Sequence, residues 1–172
     1  MKTKHATLEG RPEAVPDCRG RRFAIVVARF YDELANWLVD GARRGLAECG
    51  VAAEDIAVID VPGCFEIPLA CEMLLAGGGY DAAIALGAVV RGETPHFDYV
   101  AGECARGIMD VSLANRAPIG FGVLTTDSYA QAEERAEPSR GDKGYDAAFA
   151  AATLVALSVT TRTSAAETHA SA

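Results

Sequence analysis

The chain has 172 residues, of which half are hydrophobic and 23% charged; that is enough for one core, too little for two, and too apolar for global disorder. The formal net charge of −8 divides into +3 over residues 1–22 (six basic, three acidic) and −11 over residues 23–172 (ten basic, twenty-one acidic). An acidic body repels nucleic acid and anionic lipid, no interleaved basic and aromatic pattern of a nucleic-acid reader is present, and Gly, Pro or charge interrupts each apolar stretch too early for a membrane-spanning helix.

Residues 1–21 hold Gly10, Pro12, Pro16 and Gly20 amid mixed charge and read as an irregular arm. The folded domain is expected over 22–160, and the Thr/Ser/Ala-rich residues 161–172 read as a flexible tail. Within the domain two periods alternate. The continuous apolar run 23–28 predicts a buried strand, because a half-exposed strand would alternate. Apolar or small residues at Tyr31, Leu34, Ala35, Leu38, Gly41, Ala42, Gly45 and Cys49 predict one face of a helix over 31–49, which Gly50 stops. A second strand is expected at 56–61, broken by Pro62-Gly63, and a helix at 65–76, closed by three glycines. A third strand at 80–90, a polar loop at 91–96 and a helix at 97–115 follow. The fourth strand spans 118–125, with Gly120 and Gly122 allowing close backbone packing. A short acidic helix is expected at 128–136, a turn-rich link at 138–144 and an alanine-rich helix at 145–159.

Buried strands joined by helical crossovers predict an α/β fold, a three-layer sandwich around a four-stranded parallel sheet. Ligands of such sheets bind beyond the carboxyl ends of the strands. That rule selects the loops at 29–31, 62–66, 91–97 and 125–127. The five cysteines form no CxxC pair and sit in apolar patterns, which predicts reduced core thiols in a cytoplasmic protein. No apolar signal segment follows Met1-Lys2-Thr3-Lys4.

His96 is the one histidine of the domain, since His5 and His169 lie in the ends. An imidazole in a loop with Arg91, Glu93 and Thr94 is suited to exchange protons near neutrality, or simply to cap the loop. No cluster of His and Cys offers the ligand set of a metal site. Phe30, directly after the first strand, either stacks on a planar ligand or closes the edge of the core. Arg91 and Arg135 each present a fork of donors to an anion or to solvent. Gly92 and Thr94 offer backbone and hydroxyl donors of the kind that cradle phosphate. Asp142 is placed to cap the last helix, whereas Lys143 stands against the helix dipole, as a residue sharing an anion with the helix end would. Glu66 is a favourable charge in a first turn or an acceptor for a polyhydroxyl ligand. Cys64 has no histidine or acid beside it in sequence to make it a nucleophile.

Taken together, the loop segments resemble the 6,7-dimethyl-8-ribityllumazine synthase family over nearly all of residues 22–160. The segments are Ala28-Arg29-Phe30, Pro62-Gly63-Cys64-Phe65-Glu66-Ile67-Pro68, the run from Leu86 to Phe97 with Arg91-Gly92-Glu93-Thr94-Pro95-His96 at its centre, Gly120-Phe121-Gly122-Val123-Leu124-Thr125, Gln131 to Arg135, and Asp142-Lys143-Gly144. The resemblance implies a flavodoxin-like sandwich and a condensation of 5-amino-6-(D-ribitylamino)uracil with 3,4-dihydroxy-2-butanone 4-phosphate, with no metal or organic cofactor. It implies that Phe30 stacks on the pyrimidine, that Gly63, Cys64, Phe65 and Glu66 hold the ribityl chain, and that Tyr31, Val89 and Val90 line the same subsite. Gly92, Glu93, Thr94 and Arg135 would bind phosphate, and His96 would move the proton. Phe121, Arg135 and Lys143 would arrive from a neighbouring subunit of a pentamer, which in this family stands alone or builds a decamer or a 60-subunit shell. The chain departs from the common pattern at Tyr31 (often Asn), Cys64 (often Ser or Ala) and Asp142 (often Asn), while its short link after Arg135 permits the closed shell. Two other readings are a related shell or ligand-binding protein without catalysis, and a flavodoxin-like FMN carrier or phosphoacceptor; the Ala28-Arg29-Phe30 ending lacks the Ser/Thr-rich loop and acidic cluster of the latter.

Overall fold

The structure, a computed structural model, describes residues 14–170, with side chains described through residue 160. Most of the expected arm, residues 1–13, and residues 171–172 lie outside the described residues. Four strands, β1 (Phe23–Ala28), β2 (Ile56–Val61), β3 (Ala82–Val90) and β4 (Ile119–Thr126), form one parallel sheet in the order β2-β1-β3-β4. The helices are α1 (Asp32–Glu48), α2 (Ile67–Ala76), α3 (His96–Asn115), α4 (Tyr129–Ala136) and α5 (Lys143–Ala170). The expected α/β sandwich is therefore the observed one.

The period of two along β1 divides the core. Phe23, Ile25 and Val27 face α1 and α5, whereas Val26 and Ala28 face Ile67, Cys71 and Leu75 of α2 and Cys104 and Ile108 of α3. Both faces of β1 are covered, which is why its sequence does not alternate. The apolar run of β2 predicts the same burial, yet β2 is an edge strand and most of it is only half-buried. An apolar run reports strand character and carries no mark of where the strand sits in the sheet.

Glycine sets the closest approach between layers. A Cβ on Gly120 would land on the carbonyl oxygen of Ala147, and one on Gly122 would lie 2.5 Å from Leu86 Cδ2 and 3.0 Å from Ala147 Cβ. The absence of those methyl groups lets α5 lie directly on β4; the sequence predicts the close packing, and the structure shows that α5 is the partner.

Helix limits follow local chemistry. Asp32 and Glu33 occupy the first turn of α1, where the dipole favours acids. The helix expected at 65–76 begins with a single 3-10 turn, Cys64–Glu66, and becomes α-helical at Ile67, with Pro68 in the first turn where its missing N–H costs nothing. Ser128 Oγ accepts the Gln131 N–H at 3.3 Å, and Gln131 Oε1 accepts the Asp127 N–H at 3.0 Å, a reciprocal cap that starts α4. α5 runs beyond its expected end at 159 to Ala170; residues 160–170 contain neither Gly nor Pro, and alanine favours the helix. The end of the arm is irregular but tied in, with the Cys18 N–H donating to Cys49 O at 2.8 Å and Cys18 buried.

Candidate active site

The carboxyl ends of β1, β2 and β3 open on a cavity of about 550 Å³. Phe30 and Tyr31 enter it from the end of β1, and Gly63, Cys64, Phe65 and Glu66 from the turn after β2. Val89, Val90, Gly92, Thr94 and His96 come from β3 and the loop that follows. Eleven residues singled out in sequence thus share one wall-lined space. Ala88, Phe97, Tyr99 and Val100 line it too and were not singled out. Tyr99 and Val100 sit one turn beyond His96, so the start of α3 at His96 was the available signal.

Phe30 is 74% exposed, which removes the core-edge alternative. Its ring meets Tyr31 edge-on at 5.0 Å, and Tyr31 meets Tyr129 of α4 at 5.6 Å. An exposed aromatic held by others at a cavity mouth is a ready surface for a planar ligand. The backbone after β1 is held by the Arg29 N–H donating to Val61 O at 2.9 Å, and Arg29 Nε pairs with Asp60 Oδ1 at 2.8 Å.

Glu66 folds back over the turn that carries it. Its N–H donates to Gly63 O at 3.3 Å, and its Oε2 lies 3.1 Å from the point a Gly63 Cβ would occupy. The carboxylate is exposed and free to accept hydroxyl donors. His96 is exposed in the first turn of α3, directly after the N-cap Pro95, and its N–H donates to Thr94 Oγ1 at 3.4 Å. The hydroxyl of Thr94 therefore orders the loop around the imidazole. Glu93, between Gly92 and Thr94, is exposed and does not line the cavity.

Arg91 is engaged elsewhere. Its Nε donates to Asp127 at 3.0 Å and its Nη1 to Asp98 at 3.3 Å, and its guanidinium lies 4.1 Å above the Phe97 ring. It braces the loop against the end of β4 instead of reaching for an anion. Both acids hold it more firmly protonated, Asp127 foremost.

The remaining site residues lie apart. Phe121 and Lys143 line a second groove, of about 420 Å³, between β4 and the start of α5. Lys143 Nζ donates to Asp146 at 2.9 Å, so the acid one turn on offsets its unfavourable place at the helix start. Asp142 stands directly before α5, where the sequence expects a cap, and its carboxylate also accepts from Arg44 of α1. Arg135 is exposed in the last turn of α4, its Nη1 donating to Gln131 O at 2.9 Å. Among the described residues lining the first cavity there is neither lysine nor arginine.

The thiols are unsuited to chemistry. All five cysteines are free and buried. Burial pushes the Cys64 thiol up to about 12, and it points at Ala88 O at 3.7 Å; Cys71 and Cys104 are likewise raised to about 12 and Cys18 and Cys49 to about 11, chiefly by burial. A disulfide reagent at about pH 8 is therefore expected to titrate no thiol in the folded protein and all five after denaturation. A fast-reacting native thiol at Cys64 would contradict this. These raised values stabilise the fold fully below the unfolded thiol value of about 8.5, and that contribution is lost as pH rises toward the folded values. Among the described residues no three His, Cys, Asp or Glu side chains gather as metal ligands, and no helix is long and apolar enough to cross a membrane.

The family model described as 6,7-dimethyl-8-ribityllumazine synthase matches residues 20–158. A 6,7-dimethyl-8-ribityllumazine synthase from Desulfatibacillum aliphaticivorans is 49% identical over 145 residues, covering 84% of this chain and 94% of the relative.

Proposed function

The chain belongs to the 6,7-dimethyl-8-ribityllumazine synthase family, enzymes of riboflavin biosynthesis, and from that premise we propose that it condenses 5-amino-6-(D-ribitylamino)uracil with 3,4-dihydroxy-2-butanone 4-phosphate to give 6,7-dimethyl-8-ribityllumazine, phosphate and water. One observation carries the reading. Among the described residues the cavity has an aromatic platform, a carboxylate and an imidazole but neither lysine nor arginine for a phosphate, while Lys143 and Arg135 lie outside it on α5 and α4. A phosphate substrate needs such a cation, and a neighbouring copy can bring one.

Phe30 stacks on the pyrimidine, with Tyr31, Phe65, Val89 and Val90 excluding water around it. Glu66 and the Gly63–Cys64 turn hold the ribityl hydroxyls. The uracil amine attacks the ketone, and the carbinolamine loses water to give an imine. His96 takes a proton from the carbon next to the imine as the C–O bond to phosphate breaks. Donors at Gly92 and Thr94, in the loop with Glu93, and the guanidinium of Arg135 from the adjacent subunit stabilise the departing phosphate. The ribityl-bearing nitrogen then closes the ring, and a second water leaves. Much of the acceleration comes from holding two substrates side by side.

Phe121 and Lys143 complete the site across the same boundary. A contact in which the β4–α5 edge of one copy covers the cavity of the next is head-to-tail, and such contacts close into a ring when the rotation between copies divides a full turn; the pentamer of the family is the ring proposed. Leu69 and Met73 of α2, Met109 and Leu113 of α3, and Leu154 and Leu157 of α5 are all exposed, apolar side chains that contacts between copies would cover. Decamers or 60-subunit shells would be built from such rings.

Purified protein given both substrates is expected to form the lumazine chromophore and to release phosphate in equal amount, with a native mass of a pentamer or its multiple. Pyrimidine binding without turnover would leave only a ligand-binding shell. Full activity at the mass of a monomer would overturn the shared site.

A further inference from the structure

We infer that Arg44, on α1 and outside both cavities, is a positioning residue for the reaction proposed above: it clamps Asp142 and so fixes where Lys143 and Arg135 meet the adjacent subunit. The inference rests on that reading of the function. Arg44 uses its whole fork. Its Nε donates to Asp40 at 3.0 Å one turn back, and Nη1 and Nη2 donate to the two Asp142 oxygens at 2.9–3.0 Å. Such a bidentate pair fixes direction as well as distance.

Asp142 holds an unusual backbone conformation at the link between α4 and α5. Its φ is 46°, in the left-handed region that few non-glycine residues adopt. Its N–H donates to Glu137 O at 3.2 Å and its carbonyl accepts the Asp146 N–H at 3.3 Å, so it joins the end of α4 to the first turn of α5. On one side follows Lys143. On the other, Gly141 lies so close to the backbone of Arg135 that a Cβ there would stand 2.6 Å from Arg135 Cα. Across the link, a Cβ on Gly41 of α1 would land on Asp142 Oδ1 and stand 2.8 Å from Tyr145 N. Moving Asp142 therefore moves both cations.

The pair is half-exposed on the arginine side, at 44% against 22% for Asp142, and exposed ion pairs add little to stability. Its consequence is geometric. Arg44→Ala is expected to raise KM for both substrates on the order of tenfold, with kcat changed less and native mass and Tm nearly unchanged. Arg44→Lys, which lacks the fork, is expected to restore the constants only in part. Adding Asp142→Asn to Arg44→Ala is expected to cause no further loss, because both changes remove one interaction. Hydrogen exchange at the Asp146 amide is expected to quicken in Arg44→Ala. Wild-type KM values in Arg44→Ala, or a lowered Tm with KM unmoved, would overturn the inference. Should Arg44→Ala fail to assemble, Arg44→Lys carries the test: a smaller rise in the same constants is expected, and no rise overturns it. A wild-type protein that forms no lumazine would instead overturn the proposed function, and this role with it.

Discussion

Subunits of Arg135→Ala and His96→Ala, dissociated and reassembled in equal amounts, are expected to recover about a quarter of wild-type turnover although each variant alone is nearly silent. The reason is the separation seen in one chain. His96 opens on the cavity beyond β3, while Arg135 ends α4 and is hydrogen-bonded there to Gln131 O. If each site draws His96 from one copy and Arg135 from the next, about one site in four of a random ring holds both intact. His96→Ala alone is expected to lower kcat on the order of 10² to 10⁴-fold, the usual worth of a positioned proton carrier, with binding of a ribityl-pyrimidine retained. Arg135→Ala alone is expected to lower turnover on the order of 10² to 10³-fold and to raise KM for the phosphate substrate far more than for the pyrimidine. A mixture no more active than the sum of its parts would place both groups in one subunit's site. Equal losses for both substrates in Arg135→Ala would remove its assignment to phosphate.

Gly144→Ala is expected to be the most damaging single methyl in the domain. That Cβ would land on the Leu38 carbonyl oxygen, 2.7 Å from Leu38 C and 2.8 Å from Leu38 Cα. All three atoms are backbone of α1, so no side chain can rotate away. Relief requires α1 and α5 to separate, and these helices enclose the Leu34, Leu38, Ala148 and Ala152 side of the core. Overpacking of this kind costs about 3 kcal/mol or more, which for a domain of this size lowers Tm by roughly 10 °C. Thermal unfolding at fixed protein concentration measures it, since assembly makes Tm concentration-dependent. Gly92→Ala, where a Cβ meets nothing within 4 Å, is the control for stability, and a Tm equal to the control's would contradict the argument.

The regular elements were largely legible because each is a local statement. β1 and β3 announce themselves as unbroken apolar runs, and α1 by its spaced apolar face. The limits that shifted did so for local reasons as well: His96 is the first residue of α3 because Pro95 serves as its N-cap, and α5 continues past 159 because no breaker intervenes. The edge position of β2 was not legible, since its apolar run matches that of a central strand. The Arg44–Asp142 pair spans 98 residues, and a charge at such distance has no period to betray it. Asp142 reads in sequence as a helix cap, and only the approach of α1 shows that its carboxylate also holds Arg44.

The amino-acid sequence by itself determined a parallel α/β sandwich and singled out the loops after β1, β2 and β3 that open on one cavity, because hydrophobic period and turn chemistry act between near neighbours in the chain. Tertiary structure alone decided that Phe30, Glu66 and His96 share a cavity that, among the described residues, neither lysine nor arginine lines, while Lys143 and Arg135 lie outside it, and that Cys64 is too deeply buried to react. Those outcomes depend on strand order, helix approach and loss of water, which are set only when distant segments meet.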